Sequence, residues 1–136
     1  MRRIGSFIVV FVIGVLISAC GARQPASGAP GPGDRLLSPA ELAQMLPFKD
    51  FFFVNTHIPY EGEIDQTDAF IPYDQIEENL AQLPADRDAE IVLYCRSGRM
   101  SAIAAEVLVG LGYTNVWDLE GGMIAWEEAG FPLSRR

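Results

Sequence analysis

The chain has 136 residues, 49% hydrophobic and 21% charged, with 18 acidic against 10 basic side chains and a formal charge of −8. That length fits one domain with its own core, and the composition excludes a disordered or collagen-like chain. The acidic balance excludes nucleic-acid binding, or attachment to anionic lipid, through Lys and Arg clusters.

In chain order, Met1-Arg2-Arg3 precedes an apolar run from Ile4 to Ile17, shorter than the ~20 residues that a spanning helix needs. A positive start followed by a short apolar stretch reads as a cleaved export signal. The run ends Ile17-Ser18-Ala19-Cys20, which resembles the bacterial lipoprotein signal. That resemblance implies a signal peptide over residues 1–19 and Cys20 as the lipidated first residue of the mature chain. Losing Arg2 and Arg3 leaves a still more acidic body, so membrane attachment is expected to rest on acyl chains alone. An exported, membrane-anchored protein is expected, facing the periplasm or another extracytoplasmic space. Residues 20–35 add to the lipidated Cys a Gly, Pro, Ala and Ser-rich stretch without apolar periodicity, a flexible linker. With Cys20 acylated, Cys95 is the one remaining thiol. No intramolecular disulfide is then available, and the lone Cys is either inert core or reactive.

The folded domain is expected over residues 36–134. It opens with Leu36-Leu37 and then Ser38-Pro39-Ala40-Glu41, a capping box with Pro at the first helical position. Leu42, Met45 and Leu46 supply that helix's buried stripe, and Pro47 stops it. Phe51 to Val54 reads as a strand too apolar for an exposed edge. A second helix is expected from Asp74 and Glu77, with Ile76, Leu80 and Leu83 on its apolar face and Pro84 at its end. Glu90 to Tyr94 has the β-branched and aromatic content of a buried strand. Met100, Ile103, Ala104, Val107, Leu108 and Leu111 then recur at helical spacing up to Gly112. Val116 to Leu119 forms a last strand, and Gly121-Gly122 opens a helix with Met123 and Trp126 that Gly130 closes. Strands alternating with helices imply a parallel sheet covered on both faces, with ligands at the carboxyl ends of its strands.

Between the Glu90–Tyr94 strand and its helix stands Cys95-Arg96-Ser97-Gly98-Arg99-Met100-Ser101. A strand, a tight loop and a helix N-terminus aim successive amides, with positive dipole potential, at whatever lies over the loop. An anion is expected there, and a thiolate is stabilised there. The loop resembles the Cys-Arg-x-Gly loop of the rhodanese family of sulfurtransferases, and the likeness continues through Gly112-Tyr113, Asn115 to Gly122, Ala125-Trp126, Gly130 and Pro132. It covers about Leu36 to Leu133. The resemblance implies an α/β, rhodanese-like fold with a central parallel sheet of about five strands. It also implies a sulfur carrier: Cys95 takes sulfur as a persulfide from a small anionic donor such as thiosulfate and passes it to a thiol or cyanide acceptor. No metal or organic cofactor is implied.

As a nucleophile, Cys95 needs a large thiolate fraction and a cradle for the departing oxyanion; as a small buried hydrophobe it would sit oddly among Arg96, Gly98 and Arg99. Arg96 and Arg99 draw in the anion, one of them free to face solvent, while Gly98 lets the loop turn. Ser97 and Ser101 either donate to the persulfide or cap the helix. Met100 stands where the family often has Arg. Phosphatases and arsenate reductases with a similar loop need an Arg six positions after the Cys to grip a tetrahedral oxyanion, and Ser101 stands there instead. Asn55-Thr56-His57 replaces the family's Asp-x-Arg, and Gly62-Glu63-Ile64 its Gly-His-Ile-Pro. His57 reads as a hydrogen-bonded structural residue, the alternative being a polar contact or proton shuttle in the pocket. Glu61, Glu63, Asp65 and Asp68 read as a solvated acidic loop, and Trp117 and Trp126 as core. A non-catalytic module using the same cradle to bind an anion or partner is the competing reading.

Overall fold

The computed structural model describes residues 35–135. The expected signal peptide, Cys20 and the linker up to Asp34 lie outside the described residues. Five strands, β1 (Leu36–Leu37), β2 (Phe52–Asn55), β3 (Ala69–Phe70), β4 (Ile91–Tyr94) and β5 (Val116–Leu119), pair in the order β1-β5-β4-β2-β3, every neighbour parallel. Three helices, α1 (Pro39–Met45), α2 (Arg99–Gly110) and α3 (Gly122–Glu128), cover the sheet. Parallel strands require crossovers, and these place helices on both faces. Successive strand residues point to opposite faces. Phe53, Val92 and Tyr94 therefore pack with Leu42, Leu46, Met123 and Trp126 on the α1/α3 side. Val54, Ile91 and Leu93 pack with Ala104, Ala105 and Leu108 of α2 on the other. The sheet and its two helical layers are those expected from the sequence.

Local chemistry explains most element ends. Ser38 Oγ accepts from the Glu41 amide at 3.3 Å while Glu41 Oε2 accepts from the Ser38 amide at 2.8 Å, so the capping box is complete. Donation from the Ser38 hydroxyl, at 2.7 Å, and then from the Ser38 amide lowers the Glu41 carboxyl from its ordinary range. Two expectations differ from the structure, and one strand had none. The segment after Asp74 is a 3-10 stretch, Glu77–Gln82, broken at Asn79, whose side chain donates to the Gln75 carbonyl at 2.8 Å; such local bonding competes with regular helix. In α2 the buried face is Ser101, Ala104, Ala105 and Leu108, and Ile103 is 40% exposed. Small side chains let that face lie close to the sheet, which turns the larger Ile103 outward. The short edge strand β3 carries too few residues for a periodic signal.

At the carboxyl end of β4 the loop is held by the next crossover. The amides of Met123 and Ile124 donate to the carbonyls of Cys95 and Arg96 at 2.9 and 3.0 Å. Gly122, at φ +58°, lets the chains approach this closely: a Cβ there would lie 2.4 Å from the Cys95 carbonyl oxygen and 2.7 Å from the Arg96 carbonyl. Gly122→Ala is expected to cost about 3 kcal/mol in denaturant unfolding, combining left-handed strain with a backbone clash. Gly130→Ala has similar strain, at φ +88°, but open space around the new Cβ, and is expected to cost only about 1 kcal/mol.

Asp118 of β5 is 4% exposed, in register with Leu36 and Leu93, and its Oδ1 is buried without a hydrogen bond. Burial pushes its carboxyl up from 3.8 to about 7, against the opposing pull of the Ser101 hydroxyl and the Leu119 amide. The folded state thus holds this proton more tightly than the unfolded state. Its contribution to stability is full below about pH 4 and is lost as pH rises towards 7. Asp118→Asn, uncharged throughout, is expected to remove a pH-dependent loss on the order of 2–4 kcal/mol across that window, measured by urea unfolding at each pH against the wild type.

Candidate active site

The end of β4 is fixed from β2 and from the loop that follows it. The amide and hydroxyl of Thr56 both donate to the Tyr94 carbonyl, at 2.8 and 3.0 Å. The Tyr94 hydroxyl accepts from the Ile64 amide at 3.0 Å and lies 2.7 Å from Thr67 Oγ1. Burial pushes that phenol up to about 12, so it remains a neutral strut.

Cys95 follows directly and is 1% exposed. Its Sγ accepts from the Gly98 amide at 3.0 Å and faces the Ser101 hydroxyl at 3.4 Å. The single Ser101 proton has a second acceptor, the Gly98 carbonyl, at 3.2 Å. Gly98 sits at φ +93° and is itself the N-cap of α2, so Ser97 does not cap the helix. Ser97 is exposed with Arg96 and Arg99, Met100 is half-buried, and Ser101 is buried under the sulfur. Two donors thus converge on one buried sulfur where α2 begins, an arrangement suited to holding a sulfur anion. The position six residues after Cys95 lies in the interior, where Ser101 is 0% exposed.

The other half of the site comes from the segment after β2. Asn55 Nδ2 donates to the Gly62 carbonyl at 2.9 Å, and its Oδ1 accepts from the His57 amide at 3.0 Å, which ties the segment into a closed loop. The C-terminal segment clamps it from outside, Glu63 and Ser134 exchanging amide-to-carbonyl bonds of 2.8 and 2.9 Å. His57 is 7% exposed, yet neither ring nitrogen has a hydrogen bond. This departs from the hydrogen-bonded structural role expected for it. Its Nε2 lies 3.2 Å from Glu61 Oε2, and the same oxygen lies 3.2 Å from Arg96 Nε. The two halves of the site therefore meet at Glu61.

The acidic loop is solvated as expected at Glu61, Asp65 and Asp68, with Glu63 half-buried, but two of its carboxylates also have cationic partners. Asp68 pairs with Lys49 at 2.6 Å and accepts from the Phe53 amide at 2.8 Å. Beside the loop opens a cleft of about 380 Å³ lined by Glu61, Arg96, Met123, Ile124, Leu133 and the Glu127–Arg135 pair. Trp126 is core, but Trp117 is only half-buried, with the Arg35 guanidinium over its ring at 5.4 Å. Sequence reading passed over Asp118 and placed Glu61 only in the solvated acidic loop, without a role in the site. A carboxylate inside a strand flanked by Val116 and Leu119 was a usable signal for Asp118; nothing local marked Glu61.

A family model for the rhodanese-like domain matches residues 39–129. A sulfurtransferase of Allochromatium vinosum is 41% identical over 63 residues, covering 46% of this chain and 57% of that protein. A tRNA uridine(34) hydroxylase of Escherichia coli is 31% identical over 127 residues, covering 86% of this chain and 36% of that protein. The chain therefore spans little more than half, or less, of these relatives. Among solved structures, a rhodanese-related protein of Thermoplasma volcanium is 29% identical with TM-score 0.62, covering 73% of this chain and 96% of that one. A rhodanese-like domain protein of Staphylococcus aureus is 27% identical with TM-score 0.63, covering 75% and 98%. With its parallel sheet, its Cys-Arg-x-Gly loop after β4 and a family match over most of the described residues, this chain belongs to the rhodanese-like domain family.

Proposed function

We propose that the protein is a sulfurtransferase that carries sulfur as a persulfide on Cys95. The observation that carries this reading is the pair of donors, the Gly98 amide and the Ser101 hydroxyl, directed at Sγ. In the first half-reaction the Cys95 thiolate attacks the outer sulfur of a donor such as thiosulfate. A new S–S bond forms, the donor's S–S bond breaks, and its electron pair departs with sulfite. The acceptor, cyanide or a thiolate, then attacks the outer persulfide sulfur and returns Cys95 as thiolate. Each step exchanges one sulfur bond for another, so no outside oxidant or reductant enters. The exposed Arg96 and Arg99 supply positive charge at the mouth, and the loop amides steady the leaving anion. The half-buried Met100 bounds the short loop, which lacks the bidentate Arg that attack on phosphorus requires. A non-catalytic anion-binding module is less well supported, because a binding loop has no need of hydrogen-bond donors aimed at a buried sulfur.

Thiosulfate incubation is expected to add the mass of one sulfur atom to Cys95 and to support transfer to cyanide. Cys95→Ser should abolish both while remaining folded by circular dichroism. Aryl phosphate hydrolysis should be undetectable under the same conditions; efficient phosphate release without a persulfide would refute the reading.

The proposal extends to location: export through residues 1–19, lipidation of Cys20, and a linker that spaces the domain from an extracytoplasmic membrane face. A formal charge of −8 offers no electrostatic attachment to anionic lipid and disfavours a nucleic-acid partner. Cys20→Ala is expected to abolish metabolic labelling with a fatty acid, and unchanged labelling would overturn the assignment.

A further inference from the structure

Resting on the sulfur-transfer reading above, we infer that Glu61 is a donor-selecting gate: its carboxylate, shared between Arg96 and His57, disfavours doubly charged sulfur donors and tilts the site towards singly charged ones. The backbone directly after Glu61 is held twice, by the Asn55 to Gly62 bond at 2.9 Å and by the Glu63–Ser134 exchange at 2.8 and 2.9 Å. Its carboxylate is thereby kept at the mouth rather than placed there by chance rotation of a loop. One oxygen, Oε2, stands 3.2 Å from Arg96 Nε and 3.2 Å from His57 Nε2. The His57 contact is not aligned as a hydrogen bond, since Nε2 remains without one. It is a contact of proximity, not a directional lock. Arg99 makes no ion pair among the described residues, so wild-type attraction for a donor anion rests more on Arg99 than on Arg96, which is paired with Glu61. The remaining charges of the adjoining cleft cancel, because one Arg135 nitrogen contacts both Glu127 oxygens, at 2.7 and 2.8 Å. What is left is an apolar floor of Met123, Ile124 and Leu133, which suits a donor that carries an organic group beside a single negative charge.

The test uses two donors with the same leaving chemistry and different charge, thiosulfate (a dianion) and methanethiosulfonate (a monoanion). Attack on the outer sulfur releases sulfite from the first and methanesulfinate from the second. Coulomb energy is linear in ligand charge, so the gain for the dianion should be roughly the square of the gain for the monoanion. Glu61→Gln is expected to raise kcat/KM about 2–4-fold for methanethiosulfonate and about 5–15-fold for thiosulfate at low salt, with both gains shrinking at high ionic strength. Glu127→Gln, which removes an equal charge from the same cleft without touching Arg96, should stay within about twofold of wild type, because its partner Arg135 is not part of the Cys95 loop. Equal gains for both donors, no gain, or a fall in kcat/KM from a mispositioned Arg96 would overturn the gate. So would a matching gain in Glu127→Gln, which would trace the effect to overall charge. If the wild type forms no Cys95 persulfide with either donor, the sulfur-transfer reading fails and takes the gate with it. Persulfide formation with unchanged donor selectivity in Glu61→Gln removes the gate alone.

Discussion

The site depends on one close backbone approach, the first amides of α3 against the carbonyls of Cys95 and Arg96. An active loop of this kind must turn its amides towards an incoming anion, which leaves its carbonyls pointing back into the protein, where they need partners. Met123 and Ile124 supply them at 2.9 and 3.0 Å. That supply is available only because Gly122 has no Cβ where the Cys95 carbonyl oxygen lies. The glycine pair and the cysteine loop, 26 positions apart from Cys95 to Gly121, are thus two sides of one contact. Loop shape, and with it the direction of the Gly98 amide, is set from beneath.

A second layer of the same logic lies under the sulfur. Ser101 occupies the first turn of α2, its hydroxyl between Cys95 Sγ and the Gly98 carbonyl, with the Asp118 carboxyl nearby. Buried polar groups of this kind constrain one another more strongly than they would in water. The mouth above is governed by charge rather than packing, since Arg96 and Glu61 are both substantially exposed. Interior groups therefore hold the sulfur, and exposed charged groups line the approach to it.

The sequence made the architecture legible because parallel strands buried on both faces leave dense apolar runs, Phe51 to Val54 and Ile91 to Tyr94, between clear helix starts and glycine stops. Ser38 with Glu41 marked one helix start by local hydrogen bonding alone. Asp74 with Glu77 looked equivalent but gave a 3-10 stretch, because Asn79 offers its backbone a competing local bond. Spacing oriented α2 only in part: of the stripe Met100, Ile103, Ala104, Val107, Leu108 and Leu111, Ala104 and Leu108 are buried, whereas close packing on the sheet added the small Ser101 and Ala105 and left Ile103 outside.

By itself the sequence determined the order of the main strands and helices, the family and the cysteine, because these follow from patterns local in the chain: apolar period, caps, and a seven-residue loop. Only the tertiary structure decided what surrounds the sulfur and its entrance. Glu61, beside His57, meets Arg96 from 35 positions away in the chain, and Asp118 reaches the underside of the loop from a neighbouring strand. Such juxtapositions arise from strand order in the sheet, β5-β4-β2. Pairing between distant strands places at one edge residues whose separation along the chain carries no trace of their contact.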